Sequence, residues 1–597
     1  MKEVIRIGIV GGGPGGVSFL MQFIEEIKKN PLTSSVEVSV FEKTSDIGPG
    51  LPYVFNDKSY ILNLPKNSME PIFGNAGNFT KWLSKEFSSL DHAEFPPRYY
   101  FGRYLNYLAN ETQKQAESLG VAVKFKTNCE VKDLQPFKQG KFQLKLSDES
   151  AQVFDYIVLA TGHMPSTAYY HLNGKTGYYH NPWDQNSYKN ITTESNIGII
   201  GTRLTAIDIA AKFHQLGHRG KLMMASRSGL LPTVLAKVIP PYPLRYLTLD
   251  TFTHLTKAGL IPLKLDDLEE LFWKELSAAE GKPINSAVLT NPYKNMTSLQ
   301  WMTKEISEAE AGPRPWQQVL FSLYPIVSEI WRMMAEPDQK RFLEDYYSLF
   351  MSYLAAFPLE NAKLIQYLLQ KEQLEVYEGL QTIQYANDQF IMQTANKEIM
   401  VAKLFNATGP GYNPAMVPLY HNMLEHGFAI AHPLGGLEID YSTLQVLNED
   451  VTKKQNIFVM GELTRGKCLA TTDMTRVAFQ ANRIAYFVSQ DIQQKSLALA
   501  KSDQEPSKDL SKTNFWKYSS SVQLQKSSFT ELHLPTVSMT YVKGTKLHQN
   551  KLLFPKNSVE FSAMKPSFFG SLKSAVNRVN FVSRPTLPRL NSMPKFR

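Results

Sequence analysis

Near the N-terminus, Gly11-Gly12-Gly13-Pro14-Gly15-Gly16 satisfies the GxGxxG pattern directly after an apolar run and ahead of helical periodicity. In such a loop the glycines at Gly11, Gly13 and Gly16 have separate mechanical roles: a tight turn, a close backbone approach to a diphosphate, and close helix–strand packing. Pro14 and Gly15 open the helix, whose free N–H groups and positive end attract phosphate. The run SVEVSVFEKT (35–44) reads as the next strand, and Glu42 near its end is placed to take a ribose hydroxyl. The chemistry implied is dinucleotide binding.

A second glycine turn, Gly201-Thr202-Arg203-Leu204-Thr205-Ala206, departs from that pattern twice. Arg203 replaces the glycine of close phosphate approach, and Ala206 replaces the last one, a tolerated change. Two readings stay open: the planar fork of Arg203 contacts a pyrophosphate together with Gly201 and Thr202, or the unit persists as scaffold. After the next strand, LMMASRSG (222–229) offers Arg227 where an NAD ribose would want an acid. A cation there favours the 2′-phosphate of NADPH over NADH.

These residues require elements to hold them, and the sequence repeats the order twice. IRIGIVGGGPGGVSFLMQFIEEI (5–27) and NIGIIGTRLTAIDIAAKFHQLGH (196–218) both run strand, glycine turn, amphipathic helix. Each leads, much later, to an apolar run and an Ala-Thr-Gly, at 160–162 and 407–409. The expected fold class is therefore α/β, with two Rossmann-like dinucleotide-binding domains. Boundaries are expected at 1–170 for the first part of a FAD-binding domain and 171–404 for an NAD(P)-binding domain. A helical insertion over about 236–372 is expected inside the latter, its Trp/Leu/Phe-rich part at 300–372 capping the second unit. Residues 405–492 return to the first domain through IFVMGEL (457–463) and a closing helix over 475–492. This long return suits a large, deeply buried cofactor in the first unit.

The 597 residues carry a formal charge of +9, but residues 501–597 alone hold 16 Lys and Arg against 5 Asp and Glu. The body is near neutral, which argues against nucleic-acid binding by it. The tail 493–597, basic and without sustained periodicity, is expected to be disordered. Within it, Phe568, Leu572, Ala575, Val579 and Val582 share a helical face, as a membrane-surface or protein-docking segment would. Two cysteines, Cys129 and Cys468, form no CxxC, which disfavours a disulfide reductase. With no secretory leader and no long apolar run, a cytoplasmic protein is expected. Metal or hydrolase signatures are absent from the sequence.

IGPGLPY (47–53), ILNLP (61–65), PRYYFGRYL (97–105), NPWD (181–184), GTRLTAID (201–208), SRSGLLP (226–232) and FNATGP (405–410) resemble the bacterial FAD/NAD(P)-binding proteins of the urate-hydroxylase and aspartate-N-monooxygenase type. The resemblance spans about 5–490. It implies FAD in the first unit, passed by Thr161 and Gly162, and NADPH- and O2-dependent monooxygenation of a small polar substrate such as an amino acid or urate-like acid. Asn63-Leu64-Pro65-Lys66, with Met69, is similar to a segment of flavin-containing monooxygenases, where the asparagine lies beside the flavin and helps stabilise its C4a-hydroperoxide. Asn63 is the catalytic candidate on that resemblance, while an ordinary loop asparagine before proline is the alternative. Arg98 and Arg103 are candidates to clamp a substrate carboxylate. Asp473, with His163 and His180, falls near the expected flavin strands, and Asp473 is counted among the cofactor-binding residues. Two further functions fit the same residues: a flavin oxidase or dehydrogenase without oxygenation, and a non-catalytic flavoprotein scaffold docking through its tail.

Overall fold

A computed structural model describes residues 4–54, 57–284, 296–450 and 455–502, with side chains as far as 497. The tail from 503 onward, including the segment 567–582, lies outside the described residues.

Two five-stranded parallel sheets organise the chain. The first orders its strands Ile457–Val459, Tyr156–Leu159, Val4–Val10, Ser35–Phe41 and Val121–Lys126. The second orders Leu374–Tyr377, Leu222–Ala225, Ile197–Ile200, Lys403–Asn406 and Tyr178–Tyr179. Every neighbour pair is parallel. Helices must then cover both faces, which is why strands such as IGII and YIVL are buried at every position. The architecture is α/β with two dinucleotide-binding units. Small antiparallel sheets over 131–154 and 382–401 accompany each.

Two boundaries differ from the sequence expectation. The strand Lys403–Asn406 pairs with Ile197–Ile200 along its whole length. The chain therefore leaves the second domain after Asn406, not at 404. The closing helix does not stop at 492 but runs Met474–Ser502. Ala478, Ala481, Ile484, Ala485, Val488 and Ile492 are buried in the first core. Small alanines in that stripe admit the first helix, Pro14–Lys29, closely enough for Gln22 Nε2 to donate to the Ala478 carbonyl at 2.9 Å. Ser496, also buried, meets Ser34 through their hydroxyls at 2.6 Å. Order thus extends ten residues into the segment expected to be tail.

The insertion is not one cap on the second unit. Helices Ser298–Ala311 and Leu359–Gln370 belong to the second domain's own core, through Trp301, Met302, Ile306, Ala362, Ile365 and Leu368. The helices at 249–280 and 315–354 form a separate apolar core that includes Leu434 and Leu469, residues of the chain's return to the first domain. Trp331 Nε1 donates to the Gly466 carbonyl at 2.8 Å, and Ser328 Oγ donates to the Cys468 carbonyl at 2.8 Å. The insertion therefore grips the first domain's return segment, contacts that no periodicity could announce. Among the described residues, no helix is long and apolar enough to cross a membrane.

Candidate functional site

The first glycine loop sits between the carboxyl end of Val4–Val10 and the helix Pro14–Lys29. Its close approaches are severe. A Cβ on Gly16 would lie 2.0 Å from the Gly11 carbonyl oxygen, and one on Gly11, at φ +102°, would lie 2.4 Å from the Ala160 oxygen. Gly13 differs, because its missing Cβ faces Gly50 at 3.3 Å, and it serves as N-cap in extended conformation without any side-chain cap. Pro14 follows as the first helical residue. The first-turn amides thus have no side chain competing for them, as an anion site requires. Ile47-Gly48-Pro49-Gly50 folds over this loop, with Gly48 N–H donating to the Gly12 carbonyl at 2.7 Å and Asn106 Nδ2 holding the Ile47 carbonyl at 2.8 Å. No spacing marked that second layer in advance.

Glu42 is buried beneath the loop. Its Oε2 accepts from Gly12 N–H, while Oε1 accepts from Thr44 N–H and Oγ1, each at 2.9 Å. A carboxylate has about four acceptor positions, so one on Oε2 stays available for a ribose hydroxyl. Beside it, Ala160 packs against Gly11, Thr161 shares a hydroxyl hydrogen bond with Tyr420, and Gly162 faces open space. The cradle, the acid and the open strand end fit an adenine-dinucleotide diphosphate.

Sequence reasoning missed Glu462. It follows the strand Ile457–Val459, is 2% exposed, and neither carboxylate oxygen has a hydrogen bond of ordinary geometry among the described residues, the Thr471 hydroxyl lying near enough only to moderate its charge. Burial pushes its carboxyl up to about 7, against the opposing pull of Arg465. A buried, unsatisfied polar group is costly, so Glu462 is a candidate to meet a cofactor hydroxyl. The only signal was an acid next to a glycine at a strand end.

The second turn has the backbone of a phosphate loop but not its freedom. Gly201, at φ +116°, packs a missing Cβ 2.7 Å from the Ala407 oxygen, as Gly11 does at Ala160. Thr202 is buried and its hydroxyl donates to the Leu230 carbonyl at 2.6 Å, so its side chain is engaged within the fold. Arg203 is also tied: its NH2 donates to the Ser348 carbonyl at 2.6 Å and hydroxyl at 2.8 Å. Its fork points into the insertion rather than waiting over the turn. Arg227 is exposed just past the end of the strand Leu222–Ala225.

The proposed carboxylate clamp does not form. Arg98 is buried and bidentate to Asp208, at 2.8 and 3.0 Å, and its Nε donates to the Ile61 carbonyl at 2.8 Å. It joins the first domain to the helix Leu204–Gln215 of the second, beside a Lys212–Asp57 pair. Arg103 is exposed, its guanidinium 4.9 Å from the Phe87 ring centroid. One arginine is a domain fastener and the other a surface residue, so neither supports the expectation of a small acidic substrate. Asp473 is likewise engaged. It caps the closing helix by accepting from Arg476 N–H at 3.0 Å, and it accepts from the Tyr324 hydroxyl.

His180 hydrogen-bonds the Ser166 carbonyl and Tyr178 hydroxyl, and burial lowers its pKa. His163 stands exposed beside Gly162. Asn63 lies on the loop whose neighbours are fixed from both sides, Ile61 by Arg98 and Leu62 N–H by the Pro96 carbonyl at 3.0 Å. Among the described residues no protein group hydrogen-bonds its side chain. Lys66 turns away, donating to the Asp91 carbonyl at 2.8 Å.

The two parallel sheets and the first cradle are those of a FAD- and NAD(P)-binding fold. Residues 8–164 match a family described as FAD-NAD(P)-binding. The uncharacterized protein YdhS of Escherichia coli (strain K12) is 26% identical over 408 residues, 60% of this chain and 74% of that protein. The trimethylamine monooxygenase of Methylocella silvestris is 24% identical over 232 residues, covering 36% of this chain and 48% of that enzyme. The solved structure of L-lysine 6-monooxygenase from Pseudomonas syringae superposes with a TM-score of 0.51 at 12% identity, over 82% of this chain and 99% of that one, a likeness of fold.

Proposed function

We propose that this protein is an NADPH- and O2-dependent flavin monooxygenase. The observation that carries the reading is the first cradle, with uncapped helix amides under Gly13 and a buried Glu42 that keeps an acceptor position open. The likeness to a trimethylamine monooxygenase and the resemblance to the urate-hydroxylase and aspartate-N-monooxygenase type support oxygenation as the outcome. Bound FAD supplies two-electron transfer between NADPH and O2, with one oxygen atom entering the substrate and the other leaving as water.

The chain's own residues divide the remaining work. Gly13, Gly15 and Gly16 hold the diphosphate, and Glu42 orients the adenosine ribose. Arg227 selects the 2′-phosphate of NADPH. Asn63 offers a neutral amide at the domain seam, able to hydrogen-bond without an acidic proton to discharge. The Arg98–Asp208 pair keeps that seam closed, which excludes water from the reacting region. Anaerobic addition of NADPH to FAD-loaded protein is expected to bleach the flavin absorbance. Turnover under isotopically labelled oxygen is then expected to label the organic product. A flavin that NADPH cannot reduce would overturn the reading. It would favour a second one, suggested by the tethered Arg203, in which the second unit is scaffold only.

A further inference from the structure

In an open α/β sheet, ligands meet the carboxyl ends of the strands. At that edge of the second sheet Arg227 stands exposed, and its guanidinium has neither ion pair nor hydrogen bond among the described residues. Its backbone is fixed, since its carbonyl accepts from Gly379 N–H at 3.0 Å and that of Ser226 accepts from Leu380 N–H at 3.1 Å. Ser228 follows, also exposed. Its hydroxyl oxygen accepts from Leu230 N–H at 3.4 Å, which leaves the hydroxyl proton free to donate. A second element reaches the same edge, from the connection that leads out of the first sheet into the second. There Tyr169 is left-handed, at φ 58° and ψ 23°, which is uncommon for a bulky side chain. Its surroundings hold it so: the Ala168 carbonyl accepts from Asn406 Nδ2 at 3.2 Å, and the Tyr169 carbonyl accepts from Leu172 N–H at 3.0 Å. The half-buried ring packs on the apolar cluster that contains Ile200 and Ala225, the last residues of the two central strands. Its hydroxyl has no hydrogen-bond partner among the described residues. Burial pushes the phenol pKa up, and the Arg227 guanidinium is near enough to pull it the other way.

We propose that Tyr169 is a specificity-determining residue of the second unit, its hydroxyl donating, with that of Ser228, to the nucleotide 2′-phosphate that Arg227 attracts. The inference rests on the reading that this unit takes NADPH. A phosphate monoester presents three acceptor oxygens, more than one guanidinium fork can satisfy. The two hydroxyls stand where the remaining oxygens need donors. They also differ from Arg227 in kind. An exposed guanidinium loses rotamer freedom when it holds a phosphate, whereas a half-buried phenol on a fixed backbone is ordered before the ligand arrives. The 2′-hydroxyl of NADH, smaller and uncharged, would leave the Tyr169 donor unmatched. Selection of the phosphorylated cofactor by the second unit is thereby shared with a residue outside its glycine turn and its strand ends.

The test titrates full-length, FAD-loaded protein with 2′,5′-ADP and with 5′-AMP by calorimetry, two probes that differ only in the 2′-phosphate. The parent is expected to bind 2′,5′-ADP at least about tenfold more tightly. Tyr169→Phe keeps the ring and its packing and removes only the donor. It is expected to weaken 2′,5′-ADP about tenfold, the loss of one hydrogen bond to a charged acceptor, and to leave 5′-AMP and the unfolding temperature unchanged. Ser228→Ala is expected to act in the same direction. The proposal fails, with NADPH binding intact, if the parent discriminates and Tyr169→Phe binds 2′,5′-ADP as the parent does, or if it loses both probes equally. A parent that binds the two probes alike, or neither, removes the NADPH reading itself and the proposal with it.

Discussion

The two glycines at the start of the first helix separate cofactor binding from folding. In Gly16→Ala the new methyl would sit 2.0 Å from the Gly11 oxygen and 3.3 Å from Ile9 Cγ2. Both neighbours are fixed, one by the turn and one by the central strand, so loop and helix must separate. Overpacking of this kind costs about 1–3 kcal/mol. In Gly13→Ala the backbone, at φ −75° and ψ −164°, suits any residue, and the methyl meets only Gly50 Cα at 3.3 Å. The fold should lose less than about 1 kcal/mol, close to the scale of an ordinary surface change. That methyl would press on Gly50 and is expected to narrow the space left for a diphosphate at the helix start. Losing one or two amide bonds to phosphate, each about 1.5–3 kcal/mol because the acceptor is charged, raises the FAD dissociation constant by at least about tenfold. The assay pairs flavin titration by fluorescence quenching with thermal unfolding of the FAD-free protein. Gly13→Ala should unfold like the parent yet bind FAD weakly, whereas Gly16→Ala should unfold several degrees earlier. Parental FAD affinity in a folded Gly13→Ala protein would refute the cradle.

Three other perturbations follow from the same geometry. Removing one partner of the buried Arg98–Asp208 pair, as in Asp208→Asn, should destabilise by about 3–5 kcal/mol, whereas Arg98→Met with Asp208→Leu should recover much of the loss; equal losses in denaturant unfolding would show that the pair does not act as a unit. Glu462 has a folded pKa of about 7, above the ordinary 4.5, so the folded state holds a proton that the unfolded state releases. Stability should therefore fall as pH rises from about 4.5 to about 7, by at most about 3 kcal/mol at 1.36 kcal/mol per unit. Glu462→Gln should flatten this decline in pH-dependent unfolding, leaving the same-signed shares of Glu70, itself raised to about 7, and of Glu94 and Asp208, which burial also pushes up. Arg227→Ala should raise the NADPH concentration needed for flavin reduction about tenfold and leave NADH nearly unaffected, the loss of one charged contact; an equal change for both cofactors would remove Arg227 from the 2′-phosphate.

What could be read in advance was local, and what could not was pairwise. Gly11 to Gly16 and Glu42 follow a short-range rule, in which strand, turn and helix lie within about forty residues, so their placement was legible. The two parallel sheets were legible for the same reason: buried strands read as apolar runs. Arg98 carries the opposite lesson. Its planar fork suits a substrate carboxylate and the carboxylate of Asp208 equally well, and 110 residues separate the two in sequence. Arg203 and Asp473 misled in the same way. Each is a polar side chain near a predicted site, and each finds its acceptor or donor in the insertion, at Ser348 and Tyr324. The three share a consequence. Residues that looked like separate contacts to small molecules instead fasten domain to domain and insertion to both. A cleft held by buried, bidentate or capping bonds is preorganised rather than assembled on binding, and preorganised polar groups are what stabilise developing charge without rearrangement. In this molecule Arg98, Arg203 and Asp473 fasten the frame, and among the described residues the candidates to touch ligands include the uncapped amides, Glu42, Asn63, Arg227 and Glu462.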